Sequence, residues 1–153
     1  MSLSERIQSD FKSAFKNHEG ARLSVLKLLQ SEIKNAELGK RAKSGKEGSL
    51  TDAEILDVVG REVKKRRDAS ALYEKGGRPE LAARENEEEA VLKAYLPEEL
   101  NESEIRDLIQ EAIRATVAIT AKDLGKVMAE LSPKTKGRAD GAVVSRIVRE
   151  YLS

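Results

Sequence analysis

The chain has 153 residues, enough for one domain of ordinary size or two small packed units, and this excludes more than two domains. Charged residues make up 36% of it, hydrophobic residues 39% and aromatic residues 3%, a balance typical of amphipathic helices and not of β-sheets. A formal net charge of +1 excludes polyanion binding through bulk charge, so such a partner would need a local basic patch. We expect an all-α fold.

Four amphipathic helices are predicted before Pro97, because apolar residues recur there at steps of three and four. Residues 39–49, GKRAKSGKEGS, contain no large apolar residue and predict a solvated, mobile loop after the second helix. Thr51 and Glu54 predict a capping box at the start of the third helix. Pro79 suits the first turn of the fourth helix, which we expect to end at Leu96. The first helix carries the apolar positions Leu3, Ile7, Phe11, Ala14 and Phe15.

Pro97 interrupts the helical pattern and predicts a boundary between an N-terminal four-helix unit, residues 1–97, and a smaller three-helix unit, residues 98–153. Asn101 or Ser103 is expected to cap the first helix of the smaller unit. The other two helices have predicted caps at Thr120 with Asp123 and at Asp140. Residues 132–141, SPKTKGRADG, predict a non-helical loop between them.

The residue types that usually carry catalysis or bind metals are scarce. His18 is the only histidine and cysteine is absent, so we predict no metal site, no catalytic residue and no disulfide. No phosphate-binding glycine motif and no serine nucleophile motif are present, so no cofactor is predicted. The first residues lack the apolar core of a signal peptide and no apolar run is long enough to span a membrane. We expect a cytoplasmic protein with no membrane partner.

Arg66 and Glu88 fall on the inward-facing stripes of the third and fourth helices. An inward charge is tolerated chiefly when it is paired, so one hypothesis is a partly buried ion pair that joins the two helices. The alternative is that the aliphatic part of Arg66 is buried while its guanidinium reaches solvent. The spacing does not separate these two interpretations.

The 132–141 loop places Lys134, Lys136 and Arg138 within five residues, and Lys126 lies on the preceding helix. A non-helical segment is able to direct such side chains to one side, which favours phosphate contact, although an ordinary exposed connection explains the same pattern. The run KKRR at 64–67 is spread around a helix and indicates a solvated surface. The few aromatic residues do not predict a base-stacking platform.

Three segments together resemble the GatB/YqeY family over nearly the whole chain: RLSVLKLLQSEIKNAE, EVKKRRDASALYEKGGRPELAARENEEEAVLKAYLPEEL and DLGKVMAELSPKTKGRADGAVVSRIV. The resemblance implies an all-helical fold with a larger N-terminal bundle and a three-helix tail. It also implies a relation to the tail of the B subunit of glutamine-dependent tRNA amidotransferase, which helps to hold tRNA. In that enzyme the ammonia-releasing and ATP-dependent steps belong to other parts.

The family's tail motif matches this sequence position by position. It comprises Gly125, Lys126 and Met128 and then Lys134, Lys136, Gly137, Arg138, Asp140 and Gly141. We expect the cations to contact RNA phosphates, the glycines to shape turns or allow close approach, and Asp140 to cap a helix. Alternatively, Gly125, Gly137, Asp140 and Gly141 serve only the folding of the tail.

The first functional hypothesis is a non-catalytic tRNA-binding or adaptor module that acts on tRNA or another folded RNA, in some cases beside an amidotransferase or other translation proteins. The second is a component of an amidotransferase, a carbon–nitrogen ligase with glutamine as amide donor. A weaker third is a helical protein-interaction module. No catalytic constellation is visible in the chain, which favours the first.

Overall fold

The amphipathic segments form seven α-helices and one 3₁₀ turn in the computed structural model, which describes residues 1–45 and 48–153. No strand occurs in those two ranges, so the prediction of an all-α fold is confirmed. No helix in the same ranges is both long and apolar enough to cross a bilayer. The helices are α1 (Leu3–Lys16), α2 (Gly20–Ser44), α3 (Asp52–Lys75), α4 (Pro79–Lys93), α5 (Glu102–Thr116), α6 (Leu124–Thr135) and α7 (Gly141–Leu152), with the 3₁₀ turn at Ala121–Asp123.

The helices lie in two compact units, Met1–Leu96 and Pro97–Ser153. Each unit has its own apolar core, in which helix faces of period 3.6 meet. That residues 1–97 and 98–153 are separate domains stays a prediction, because a compact unit need not fold alone. The core of the first unit consists of Ile7, Ala14, Val25, Leu26, Leu29, Ile33, Ile55, Val58, Val59, Val63, Leu92 and Tyr95. The core of the second consists of Ile105, Ile109, Ala112, Val127, Leu131, Val144, Ile147, Val148 and Leu152.

The predicted helix starts are confirmed by their hydrogen bonds. The Glu54 amide donates to Thr51 Oγ1 at 3.2 Å, and the Glu54 carboxylate accepts from the Thr51 amide, which completes the capping box. Asn101 caps α5, since its side chain accepts from the Glu104 amide at 2.8 Å. Each cap satisfies an amide that has no partner within the helix.

The predicted loop at 39–49 is wrong in its first part, because α2 continues through Gly39 to Ser44. The helix ends at Gly45, whose φ of 67° is left-handed and closes it in the usual way. Lys40 stabilises the added turns, since its Nζ contacts both the Ser49 carbonyl and Glu54 Oε1 at 2.8 Å. These contacts join residues that are 9 and 14 positions apart, so the local sequence does not predict them. Residues 46 and 47 of the predicted loop lie outside the described ranges.

Phe15 follows the apolar periodicity of α1, but its side chain is 66% exposed. Adjacent helical positions point about 100° apart, and Ala14 occupies the fully buried position. Phe15 is therefore turned away from the core. Periodicity alone left both residues as candidates.

The end of α4 is anchored by polar contacts of Tyr95. The helix stops at Lys93, three residues before the expected end at Leu96, and two turns follow. The buried Tyr95 hydroxyl donates to Asp10 Oδ2 at 2.6 Å, and the guanidinium of Arg6 lies 4.8 Å from the ring centroid. Burial, followed by the bond to Asp10, raises the pKa of Tyr95 above its usual value, so the ring stays neutral.

Candidate nucleic-acid interface

The predicted 132–141 loop is shorter in the structure. α6 runs to Thr135 and includes Pro133 and Lys134, so the expectation of a non-helical segment from residue 132 is wrong for its first four positions. Proline removes one amide donor from the helix. Thr135, two residues later, is buried, and its hydroxyl donates to the Leu131 carbonyl at 3.1 Å. The Lys136 amide then bonds to the Ser132 carbonyl at 3.0 Å.

A short turn follows α6 and leads into α7. Gly137 has a φ of 75°, a left-handed conformation that favours glycine. Asp140 caps α7 as predicted, because its Oδ1 accepts from the Ala142 amide at 2.8 Å. The Asp140 carboxylate is therefore directed to the helix start.

Arg138 lies half-buried in this turn and contacts the segment after Pro97 within the second unit. Its Nε donates to the Glu98 carbonyl at 3.1 Å, and its own carbonyl accepts from the Leu100 amide at 2.8 Å. The turn is therefore held at both sides. The bond from Nε leaves the two terminal NH₂ groups of the guanidinium for a ligand.

The predicted lysines are exposed but do not form one compact cluster. Lys134 lies in the last turn of α6 and Lys136 at its C-cap, so these two and Arg138 are neighbours. Lys126 is eight residues before Lys134, about 12 Å away along the helix axis. Its side chain is 70% exposed and its Nζ lies 3.9 Å from Asp123 Oδ1. Lys126 is thus a second contact point, with Glu130 between it and Lys134 on the exposed side of α6. We call Lys126, Lys134, Lys136 and Arg138 the basic surface.

The motif glycines have different structural roles. A methyl group added to Gly125 or Gly141 would meet nothing within 4 Å, and neither has a positive φ. Packing therefore does not require glycine at these two positions, whereas the turn does require it at Gly137. Met128 packs against the core of the second unit and belongs to the fold.

Arg66 is 8% exposed, which contradicts the interpretation that its guanidinium reaches solvent. Its Nε lies 3.3 Å from Glu88 Oε2 but makes no hydrogen bond of acceptable geometry. A shorter contact, 2.6 Å from Nη1 to Oε2, joins it to buried Glu62 one turn earlier. Sequence reasoning missed Glu62, although its i, i+4 spacing to Arg66 was a usable signal. The contacts of Arg66 with Glu62 and Glu88 join α3 to α4, and burial together with neighbouring Glu88 raises the pKa of Glu85.

An open hollow of about 450 Å³ lies in the first unit between the start of α2 and the side of α4. Its apolar walls include Ala21 and Val91, and Glu19, Glu87 and Glu88 line it. Its lining cation, Arg22, already pairs with Glu19 and Asp10, so the three carboxylates make the hollow unsuitable for a phosphate group. Sequence reasoning gave no indication of this hollow, because it joins residues from distant helices.

His18 occupies the turn after α1 with a φ of 55°, and its amide bonds to the Phe15 carbonyl at 3.3 Å. Within residues 1–45 and 48–153, no group of three or more His, Cys, Asp or Glu side chains is placed to hold a metal ion. The chemistry available at the basic surface is therefore that of its cationic side chains and of the turn that holds Arg138.

The chain is a small all-helical protein of two packed units. In the second unit, the cations around the end of α6 form a candidate anion-binding surface. The family model for Yqey-like proteins matches residues 4–152, and the chain belongs to this family, which confirms the resemblance seen in the sequence. It is also similar to "Altered inheritance of mitochondria protein 41, mitochondrial" of Pyrenophora tritici-repentis (strain Pt-1C-BFP). The two are 28% identical over 150 residues, 96% of this chain and 79% of the relative. That name refers the relative to mitochondria, and a cytoplasmic location of this chain stays a prediction.

Proposed function

We propose that this Yqey-like protein is a non-catalytic adaptor that binds tRNA or another folded RNA through backbone phosphates at the basic surface. The observation that carries the proposal is the fixed turn after α6. Gly137 and the bonds of Arg138 to Glu98 and Leu100 hold it in one conformation, with Lys134 and Lys136 exposed beside it. A preformed cationic turn loses little conformational freedom when it binds an anion.

Phosphate contact accounts for the chemistry of the surface better than base reading does. Lysine is a point charge that suits phosphate, and the terminal NH₂ groups of Arg138 suit it as well. The basic surface itself contains no aromatic side chain on which bases would stack. A net charge of +1 means that this local surface, and not the whole protein, would attract RNA.

The exposed side of α6 supports close approach of an RNA backbone. Gly125 and Ala129 are one helical turn apart and both are exposed, so small side chains line the strip of α6 next to Lys126. Open space around Gly125 means that the fold does not explain its missing side chain. A partner that contacts the helix backbone does explain it.

We place the adaptor beside a glutamine-dependent amidotransferase because of the family resemblance. A purified chain that releases ammonia from glutamine on its own would contradict the non-catalytic role and favour the amidotransferase-component hypothesis. Unfractionated tRNA and glutamine are sufficient probes for the two functions. If neither binding nor ammonia release occurs, a helical protein-interaction module becomes the better hypothesis.

The proposal is tested by titrating unfractionated tRNA at several salt concentrations. We compare the wild type with a Lys134→Ala/Lys136→Ala/Arg138→Ala variant. Each lost phosphate contact is expected to make the slope of log K against log salt shallower by about 0.7–0.9. The triple variant should therefore bind more weakly and with a clearly shallower slope.

The matched control removes the same charge from the first unit. A Lys12→Ala/Lys27→Ala/Lys34→Ala variant replaces three exposed lysines on α1 and α2. It should keep most of the wild-type slope, because the proposed contacts are local. Equal losses in both triple variants would show nonspecific attraction and would contradict the proposed surface.

A further inference from the structure

Two aliphatic side chains project from the loop between α5 and the 3₁₀ turn. Val117 and Ile119, on either side of Ala118, are each 76% exposed. Ala118 between them packs against the core of the second unit. The loop therefore directs an apolar pair outward while its middle residue anchors it.

The backbone of this loop is held in a costly conformation. Val117 has φ 53° and ψ 39°, the left-handed region that β-branched residues rarely adopt. The Ala118 amide bonds to the Ile113 carbonyl at 3.1 Å, which closes α5. Such strain persists only where the surrounding structure enforces it, and it is common at functional sites.

Asp123 fixes the other end of the loop. Its Oδ2 accepts from the Ile119 amide at 2.9 Å and from the Thr120 amide at 3.2 Å. These two bonds lower the pKa of Asp123 and tie the Ile119–Thr120 backbone to the start of α6. The apolar pair is thus preformed.

The same carboxylate links the apolar pair to the basic surface. Asp123 Oδ1 lies 3.9 Å from Lys126 Nζ, while Asp123 Oδ2 accepts from the Ile119 amide, so both the Ile119 amide and the Lys126 ammonium lie beside this carboxylate. Arg114, three residues before Val117, and Lys122, three residues after Ile119, are also exposed. An apolar pair with cations around it matches a ligand that presents an apolar face beside negative charge.

We propose that Val117 and Ile119 pack against an exposed base face of the bound RNA, while Lys122 and Lys126 contact the adjoining phosphates. This inference rests on the proposed function. A continuous duplex hides its base faces in the stack and presents only backbone and groove edges. Aliphatic side chains pack on bases where a step is opened or a base is unstacked. The ligand class is therefore folded RNA with an unstacked base or an open helix end beside the backbone, not a plain duplex.

The test compares unfractionated tRNA with a long continuous RNA duplex at equal nucleotide concentration, because open ends are rare in a long duplex and it has no loop bases. The variant is Val117→Asn/Ile119→Gln, and Leu72→Gln, which removes a side chain that is 69% exposed on α3, is the control. We expect the double variant to bind tRNA about tenfold more weakly or worse. Its salt slope should equal that of the wild type, because no phosphate contact is removed. Binding of the duplex should hardly change.

Folding is checked separately. Asparagine tolerates the left-handed conformation better than valine, so the double variant should be at least as stable as the wild type in thermal unfolding. Ile119→Gln alone leaves the conformation of Val117 untouched and repeats the binding test if the double variant is unstable. Loss of affinity in a folded variant supports the inference.

The possible failures are distinguishable. If the Lys134/Lys136/Arg138 variant has a shallower slope but the apolar variants bind tRNA like the wild type, the inference is overturned and the proposed function stands. Such a result would favour a protein partner for Val117 and Ile119. Equal losses on tRNA and on the duplex would also overturn it. Absence of salt-dependent tRNA binding in the wild type would overturn both.

Discussion

Backbone conformation at single residues shapes the turn that carries the basic surface. Gly137 has a positive φ, whereas Gly125 lies in α6 with a helical backbone and open space around it. The two motif glycines thus satisfy different requirements. Gly137 serves the fold of the second unit, whereas the fold gives no reason for glycine at position 125.

Alanine substitution should separate these roles. Gly137→Ala is expected to destabilise the protein by about 1–2 kcal/mol, the cost of a left-handed L-residue. Gly125→Ala is expected to stabilise it by about 0.5–1 kcal/mol, because glycine is a poor residue inside a helix. Urea unfolding measures both. Weaker tRNA binding by the more stable Gly125→Ala variant would support close approach, and unchanged binding would remove that argument.

At the scale of elements, polar networks join helices that apolar packing alone would leave free to slide. Arg66 and Glu62 on α3 are buried and face Glu88 of α4. Lys40 of α2 contacts Glu54 at the start of α3. Both networks position helices of the first unit, and their expected contributions differ because one is buried and the other is exposed.

The Arg66 network is tested by two double-mutant cycles. Arg66→Ala leaves the Glu62 carboxylate buried without its cation, so we expect a loss of about 3–5 kcal/mol in unfolding free energy. Glu88→Ala should cost about 1 kcal/mol or less, since Glu88 is more exposed and makes no hydrogen bond to Arg66. The coupling energy should be larger for Arg66 with Glu62 than for Arg66 with Glu88. Strict additivity in the second cycle would disprove the α3–α4 ion pair.

Glu54 gives the first unit a specific acid sensitivity. The hydrogen bond from Lys40, helped by the Thr51 amide, lowers the pKa of Glu54 from 4.5 to about 2. A lowered carboxyl pKa stabilises the fold above the unfolded value, and that contribution is lost as pH falls from 4.5 toward 2. As pH falls from 4.5 to 2, the Glu54→Gln variant should therefore lose less unfolding free energy than the wild type. Urea unfolding at stepped pH measures it, with exposed Glu74→Gln as the control; equal slopes for both variants would contradict the prediction.

At the scale of the whole molecule, each unit has a separate apolar core. Residues near Pro97 connect two sets of helices whose core residues do not mix. We therefore expect each unit to be able to lose structure without the other. The proposed RNA contacts lie in the second unit alone.

Native-state hydrogen exchange tests that independence. Ile109→Ala removes a fully buried side chain from the second core and should cost about 2–5 kcal/mol there. Exchange should accelerate in α5 to α7 while α1 to α4 keep their protection. A matched Leu29→Ala variant in the first core should give the reverse pattern. Equal acceleration throughout the chain in both variants would show one cooperative domain.

The sequence by itself determined the helical class, most helix starts and the family. Caps such as Thr51 and Asp140 act within one helical turn, and helical periodicity repeats over a few residues. Both can therefore be predicted from the local sequence alone. The motif that ends in GRADG was likewise recognisable from local residues.

The tertiary structure alone decided what distant residues impose. α6 continues past Pro133 to the buried Thr135, and the Glu98 and Leu100 backbone fixes Arg138. Of the two consecutive apolar residues in α1, packing buries Ala14 and leaves Phe15 exposed. The sequence did not show that Val117 and Ile119 are exposed while Ala118 packs against the core, because this depends on the tertiary packing of the second unit. The physical reason is the same throughout: hydrogen bonds within a turn are encoded locally, whereas burial depends on which parts of the chain meet.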